Sequence, residues 1–380
     1  MLRAFFIGPA IWVFLPLYFS IQGQTVRDFL PFAEIPGTDK RGIRVNADFN
    51  ARERMEKIIL QCLSDHYGIE GSVSRLPGEN LNYLVSSMDG SRFVFKIVDD
   101  DMPAAIVVME NEIIEHAVSG GFRLKLPRIL KNRLGDIETR IKIRKNTENR
   151  ARLIVFISGT LLGDMSDISL ETRKSLGISL AEFDFLMQDY DHPAAHRNHR
   201  WNLAEAGQHR PKLALIEEPR RRKLLAWAFD LWANDAKPKL AELPHQIIHG
   251  DAHGENILMS GNSLVGLVDF GDCCFNPTIC ELGVCLPYMM MGRDNPEQIA
   301  IDIVSAYHGI RPLSKEECAV ILPLICGRLA VTVSVAAERR RIDPSHPNWF
   351  DGEENAWNFL QYLFGNYYGR ENEFFHYKRI

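Results

Sequence analysis

The sequence predicts an α+β molecule of two lobes: a small β-rich first lobe carrying one key helix, and a larger, mainly helical second lobe. Three observations predict it. Short strand-like runs cluster before residue 158, a single segment among them has a helical period, and helical periods dominate after residue 159. The chain also has enough apolar surface for a full core, being 380 residues long, 46% hydrophobic and 24% charged, which excludes a disordered chain.

The elements follow in order. Residues 55–67 read as an amphipathic helix ended by Gly68. Strand-like runs at 73–76 and 81–85 flank a turn at Pro77-Gly78, and a third at 93–98 follows the turn at Asp89-Gly90. Over 104–118, Ile106, Met109, Ile113, Ile114 and Ala117 recur at helical spacing before Gly120-Gly121 closes the run. Strands near 140–144 and 152–157 complete the first lobe, and Ser158-Gly159 marks the boundary. Helices are expected at 170–188, 212–235, 279–291, 296–307, 314–341 and 354–366. The division is therefore 1–45 as apolar leader and linker, 46–157 as first lobe and 158–380 as second lobe, with a ligand cleft between the lobes.

Charge and cysteines narrow the function classes. Formal charge is 44 − 49 = −5, so no basic excess holds a phosphate backbone and no nucleic-acid partner is expected. Nothing in the sequence calls for an obligate protein partner. The seven cysteines show neither CxxC pairs nor framework spacing, which argues against a disulfide scaffold or a structural zinc site. Residues 4–21 carry no charge and resemble a targeting segment or short anchor, but Pro9 and Pro16 interrupt any helix there. Because Pro277 blocks the Asn276-Pro277-Thr278 glycosylation acceptor, the expectation is a cytoplasmic protein, with membrane contact only if residues 4–21 are retained as an anchor.

The chemistry concentrates in residues 246–272. Gln246-Ile-Ile leads to His249-Gly250-Asp251, a polar loop reaches Asn256, and two short strands around Gly261-Asn262 end in Asp269-Phe270-Gly271-Asp272. Two carboxylates and an amide on loops held by strands are the parts that phosphoryl transfer requires: a base aimed at an acceptor hydroxyl, and oxygen ligands for Mg²⁺ on the donor phosphates. Asp251 reads as the base, and Asn256 and Asp269 as the metal ligands.

This pattern resembles the aminoglycoside phosphotransferase-like kinases, relatives of the protein kinases, and within them the hydroxylysine kinases. Trp201-Asn202-Leu203 and Cys326-Gly327-Arg328-Leu329 are similar to further elements of that group, and the likeness covers about residues 50–366. The resemblance implies a bilobal protein-kinase-like fold, with the nucleotide in the first lobe and the acceptor against the second. It also implies Mg²⁺ with GTP or ATP as donor, 5-hydroxy-L-lysine as acceptor giving 5-phosphohydroxylysine, and a place in lysine degradation. It further implies a third-strand lysine paired with a helix glutamate. Lys96 stands in the apolar run 93–98, and Glu110, Glu112 and Glu115 are available on the helix; the family position favours Glu110. Asn82 matches an asparagine of the group, the loop from Arg75 to Asn82 would cover the phosphates, and the backbone of residues 155–157 would contact the purine. Without the rest of the pattern, Lys96 reads as a snorkelling edge-strand lysine.

Several residues have competing readings. His249-x-Asp251-x-His253 suits a metal hydrolase, but no further cluster completes a ligand set, so His249 is read as orienting the loop and His253 as solvated. Asp272 is read as a helix cap rather than a ligand of a second Mg²⁺, Glu281 as a structural partner of the loop, and Cys273-Cys274 as packing residues. Arg328, in an apolar helix, calls for a buried acid partner or a place on the cleft, as a supporting residue. Asp184, Asp189 and Asp191 are candidates for binding acceptor amines. The alternatives to hydroxylysine are another small hydroxylated amine or sugar (choline, homoserine, an aminoglycoside), or a catalytically silent kinase-fold binding protein.

Overall fold

A computed structural model describes residues 42–76, 81–98, 102–144, 147–346 and 349–375. The expected leader falls almost wholly outside the described residues, as does the Pro77-Gly78 turn. Helix α1 (Gly42–Tyr67) begins well ahead of the expected residue 55, inside the segment read as linker. Gly68 ends it with φ 69°, a left-handed conformation that a Cβ would strain.

Strands β1 (Gly71–Arg75), β2 (Asn82–Ser87) and β3 (Arg92–Ile97) form an antiparallel meander. Helix α2 (Ala104–Ser119) follows, then β4 (Ile129–Leu130), β5 (Thr139–Arg144) and β6 (Thr147–Val155). The sheet order is β1-β2-β3-β6-β4, with β5 also paired to β6, so β3 and β6 are central. The α1 residues Ile59 and Leu63 join Tyr83, Val85, Phe95, Ile97 and Leu153 in a small core of their own. Helix α2 has a different allegiance: Met109, Ile113, Ile114 and Ala117 belong to the larger core of the helical lobe. It therefore bridges the two lobes, which is why its polar residues stand at the cleft.

The second lobe opens with β7 (Thr160–Leu161) and α3 (Leu170–Leu186), whose N-cap Ser169 accepts from the Thr172 backbone N–H. The expected helix at 212–235 is divided. Its start lies in a 3₁₀ segment (Leu203–Leu215) containing Pro211, and α4 (Pro219–Leu231) restarts with proline in its first turn, where no intrahelical N–H is needed. A π-helical turn then leads to α5 (Lys237–Leu240).

Strands β8 (His245–Ile248), β9 (Ile257–Ser260), β10 (Ser263–Leu267) and β11 (Cys274–Pro277) bracket the polar loops. Strands β9 and β10 make the expected hairpin, with Ser260 opposite Ser263 and Gly261 at φ 57°. Helices α6 (Cys280–Met290), α7 (Pro296–His308), α8 (Lys315–Ala319), α9 (Ile321–Ile342) and α10 (Glu353–Tyr367) complete the lobe. The expected helix at 314–341 is two helices meeting at Val320, the first opened by a Ser314–Glu317 capping box. Among the described residues α9 alone is long and apolar enough to cross a membrane, but 89% of that window is buried, as befits a core helix. All seven cysteines are free and buried; burial pushes the Cys274 thiol up to about 12.

Candidate active site

The first half of the site is set by strand register. Asn82 on β2 lies opposite Lys96 on β3, which lies opposite Arg152 on β6. Directly opposed residues share a face, so the three side chains stand in a row, and all three line a cleft floored by Val268, Asp269 and Phe270. Val155, Phe156 and Ile157 line its other end, where the purine contact was expected.

The expected Lys96–Glu110 pair is not what the structure contains. Glu110 on α2 binds Arg152, with Nη2 to Oε2 at 2.5 Å and both side chains almost wholly buried. Lys96 Nζ instead faces Asp269 Oδ1 at 3.8 Å. The physical reason is competition: Arg152 stands beside Lys96, is more deeply buried, and has the greater need of a counter-charge. Glu112 and Glu115 point elsewhere, to Tyr190 with His192 and to Arg128 respectively.

The second half is the loop after β8. Gly250 has φ 73°, and a Cβ there would sit 3.1 Å from the Asp272 carbonyl, so the chain turns closely against the strand-end loop. His249 is fully buried, and desolvation lowers its pKa to about 4. It is therefore neutral, and its hydrogen bonds fix the tautomer: Nε2 donates to the Val268 carbonyl at 3.1 Å, and Nδ1 accepts from the Asp251 backbone N–H at 3.3 Å. Glu281 Oε2 accepts from the backbone N–H groups of His249 (2.7 Å) and Gly250 (3.2 Å). Burial raises the Glu281 carboxyl to about 7, against the lowering effect of those two donors.

Asp251 is fully buried and its carboxylate is fully engaged. Oδ2 accepts from Asn256 Nδ2 at 2.7 Å and lies 3.3 Å from His253 Nε2, and Oδ1 accepts from Arg328 Nη2 at 3.0 Å. His253 is thus a buried partner of Asp251, not the solvated residue expected. Its pKa is raised because the Asp251 carboxylate outweighs desolvation, which acts the other way. Asn256 is tied to Asp251 by its amide nitrogen, which leaves Oδ1 buried with no hydrogen-bond partner. Asp269 sits at the end of the strand pair with φ 62°, a left-handed conformation that aspartate tolerates better than most residues.

These oxygens bear on a metal. An orphaned, buried amide oxygen on Asn256 and a nearby carboxylate on Asp269 are hard oxygen donors, few in number, as Mg²⁺ takes when phosphates and waters supply the rest. The residues therefore fit the ion. Among the described residues no cluster of three or more His, Cys, Asp or Glu forms a metal site, so the zinc-hydrolase alternative has no ligand set.

Other expectations change. Asp272 does not cap a helix, because β11 intervenes before α6 begins at Cys280. It is buried 3.5 Å from His199 Nδ1, and desolvation raises its pKa well above the usual carboxylate range. Asp184 is walled into the core, where it accepts a hydrogen bond from the Tyr307 hydroxyl, so it does not face the acceptor. Asp191 is exposed and bound to His196. Sequence reasoning missed Arg152 and placed His253 in solvent. The register of β3 against β6 was the available signal for Arg152; for His253 it was its place two residues after Asp251.

A model of the phosphotransferase enzyme family matches residues 72–317. The chain is 24% identical over 227 residues to the hydroxylysine kinase of Mus musculus, a match covering 56% of this chain and 60% of that enzyme, which is less than two thirds of its length. It is 26% identical over 264 residues to the homoserine kinase of Methylobacterium radiotolerans, covering 65% and 73% of the two chains. Among solved structures, a microcompartment-associated aminopropanol kinase shares the fold with a TM-score of 0.64 at 17% identity, over 81% of this chain and 97% of that one. The family match takes in Lys96, Asp251, Asn256 and Asp269 alike, and the chain belongs to the phosphotransferase enzyme family.

Proposed function

We propose that this protein transfers the γ-phosphoryl group of a nucleoside triphosphate, GTP or ATP, to the hydroxyl of a small amino-alcohol acceptor, and that the acceptor is 5-hydroxy-L-lysine. One observation carries the reading. A buried carboxylate, an amide with an unpartnered oxygen and a second carboxylate converge from two adjacent loops, and a lysine from the opposite lobe reaches the second carboxylate.

In this reading Asp251 orients the acceptor hydroxyl and takes its proton. Lys96 holds the donor phosphates from the sheet side, with Asn82 in the same row. Asn256 Oδ1 and Asp269 hold Mg²⁺, which when bound supplies positive charge to the donor phosphates. His249 and Glu281 fix the loop from behind. Positioning and electrostatics account for most of the rate, as is general for phosphoryl transfer. Residues 46–157 serve the nucleotide, residues 158–380 carry the catalytic loop and acceptor site, and the enzyme works in the cytoplasm.

The hydroxylysine assignment rests on the relatives of that name. Homoserine is the second reading, favoured by the homoserine kinase match, which spans more of both chains. Both acceptors pair a hydroxyl with an amine and a carboxylate.

The test is nucleoside diphosphate release by the full chain with GTP or ATP and Mg²⁺, across hydroxylysine, homoserine, choline and an aminoglycoside. Hydroxylysine-dependent turnover that Asp251→Asn lowers by about 100-fold or more supports the reading. Turnover on homoserine alone replaces the acceptor and keeps the chemistry. Nucleotide binding without turnover on any acceptor refutes the enzyme in favour of a silent binding protein.

A further inference from the structure

The fully buried side chains include one that an apolar core does not need. Arg328 lies on α9, 1% exposed, in a helix whose buried residues are mostly Leu, Ile, Val and Ala. Replacing a buried ion pair by apolar residues is often neutral or stabilising, so packing alone gives no reason for it. Its guanidinium is held from several sides. Nη2 donates to Asp251 Oδ1 at 3.0 Å, Nε to the Tyr288 hydroxyl at 3.1 Å, and Nη1 to the Trp201 carbonyl at 3.4 Å. Its carbon centre lies 5.0 Å from the Trp201 ring centroid and 5.4 Å from that of Tyr288. Two separate segments thus flank a planar cation whose Nη2 meets the carboxylate of Asp251.

We propose that Arg328 is the positioning residue of the catalytic base: it locks the Asp251 carboxylate in one orientation. The proposal rests on Asp251 being that base. A carboxylate with two equivalent oxygens rotates unless both are held. Asn256 and His253 hold Oδ2, and Arg328 holds Oδ1. Because the guanidinium is engaged by Asp251, Tyr288 and Trp201, it acts through the base and not as a receptor for the acceptor's carboxylate.

The experiment uses full-length Arg328→Met, Arg328→Lys and Arg328→Ala on whichever hydroxylated amine the wild type phosphorylates. Arg328→Met is expected to lower kcat by about 100-fold, with little change in the KM for nucleotide. Added guanidinium at concentrations below denaturing restores part of the activity of Arg328→Ala. In an Asp251→Asn background, Arg328→Met costs no further kcat, since there is no base left to position. If Arg328→Met does not fold, Arg328→Lys carries the kcat and KM readouts, since it keeps the charge but lacks the planar fork that orients the carboxylate.

Two results overturn the proposal. They are losses that multiply in the double variant, or a rise confined to the KM of carboxylate-bearing acceptors. If Asp251→Asn itself stays active, the base assignment fails. If Asp251→Asn is inactive while Arg328→Met is normal, the positioning role alone fails.

Discussion

Glu110→Gln removes the counter-charge of Arg152 and leaves the guanidinium buried between β6 and α2. The wild-type pair meets at 2.5 Å, with side-chain exposures of 3% and 4%, so solvent screening does not weaken it as it would at the surface. Breaking a buried pair from one side costs about 3–5 kcal/mol, nearly all of it the penalty of the charge left behind. One feature places this case at the lower end. Glu110 Oε1 and Arg152 Nε have no hydrogen-bond partner even in the wild type, so the pair is incompletely satisfied. The expected loss is therefore about 3 kcal/mol. Glu110→Gln combined with Arg152→Met removes both charges and recovers most of it, leaving about 1 kcal/mol. Urea unfolding measures both. Tryptophan fluorescence is a poor reporter for this lobe, because all six tryptophans lie outside residues 46–157, so far-UV circular dichroism and amide exchange on β3 and β6 are the signals to follow. A single-variant cost below about 1 kcal/mol, the value of an exposed pair, would refute the reasoning. So would a double variant no more stable than the single one.

Two further outcomes follow from named contacts. Glu281 is raised by burial to about 7 in the folded chain, above the ordinary carboxyl value, so the native state holds its proton more tightly than the unfolded state. Its contribution is then fully present below the unfolded value and is lost as pH rises through 7. Glu281→Gln keeps an acceptor for the loop N–H groups but does not titrate. The wild type should therefore lose more stability than the variant between about pH 5 and about pH 8 in urea titrations, and parallel curves would count against this. Gly177 on α3 passes so close to α7 that a Cβ would lie 2.2 Å from the Ile303 carbonyl. Gly177→Ala should cost about 1–3 kcal/mol through forced separation of the two helices, and an unchanged thermal midpoint would contradict that packing.

Legibility differed by element for physical reasons. The β9–β10 hairpin was readable because its turn sits between two apolar runs, and α2 because its period and its Gly120-Gly121 stop agree. Strands β4 and β7 are two residues each, too short to carry an alternation. Strand β11 includes Asn276 and Pro277, which composition assigns to a turn; its pairing with β8 makes it a strand. The split at Val320 is not legible because α8 and α9 read as one continuous helical run; only the backbone at Val320, φ −98° and ψ −1°, separates them.

By itself the sequence determined the two-lobed α+β architecture and the run from His249 to Asp272, since periodicity and close spacing are local properties. Partnership between distant charges is not local. Which glutamate meets which cation depends on strand register and on the bridging of the lobes by α2, and those gave Glu110 to Arg152 and Lys96 to Asp269. The same holds for Arg328. An isolated cation in an apolar helix announced a buried partner, but only the packing of α9 against the loop after β8 made that partner Asp251. Burial explains why this had to be decided in three dimensions. Charges removed from water must find counter-charges, and the fold determines which ones are near.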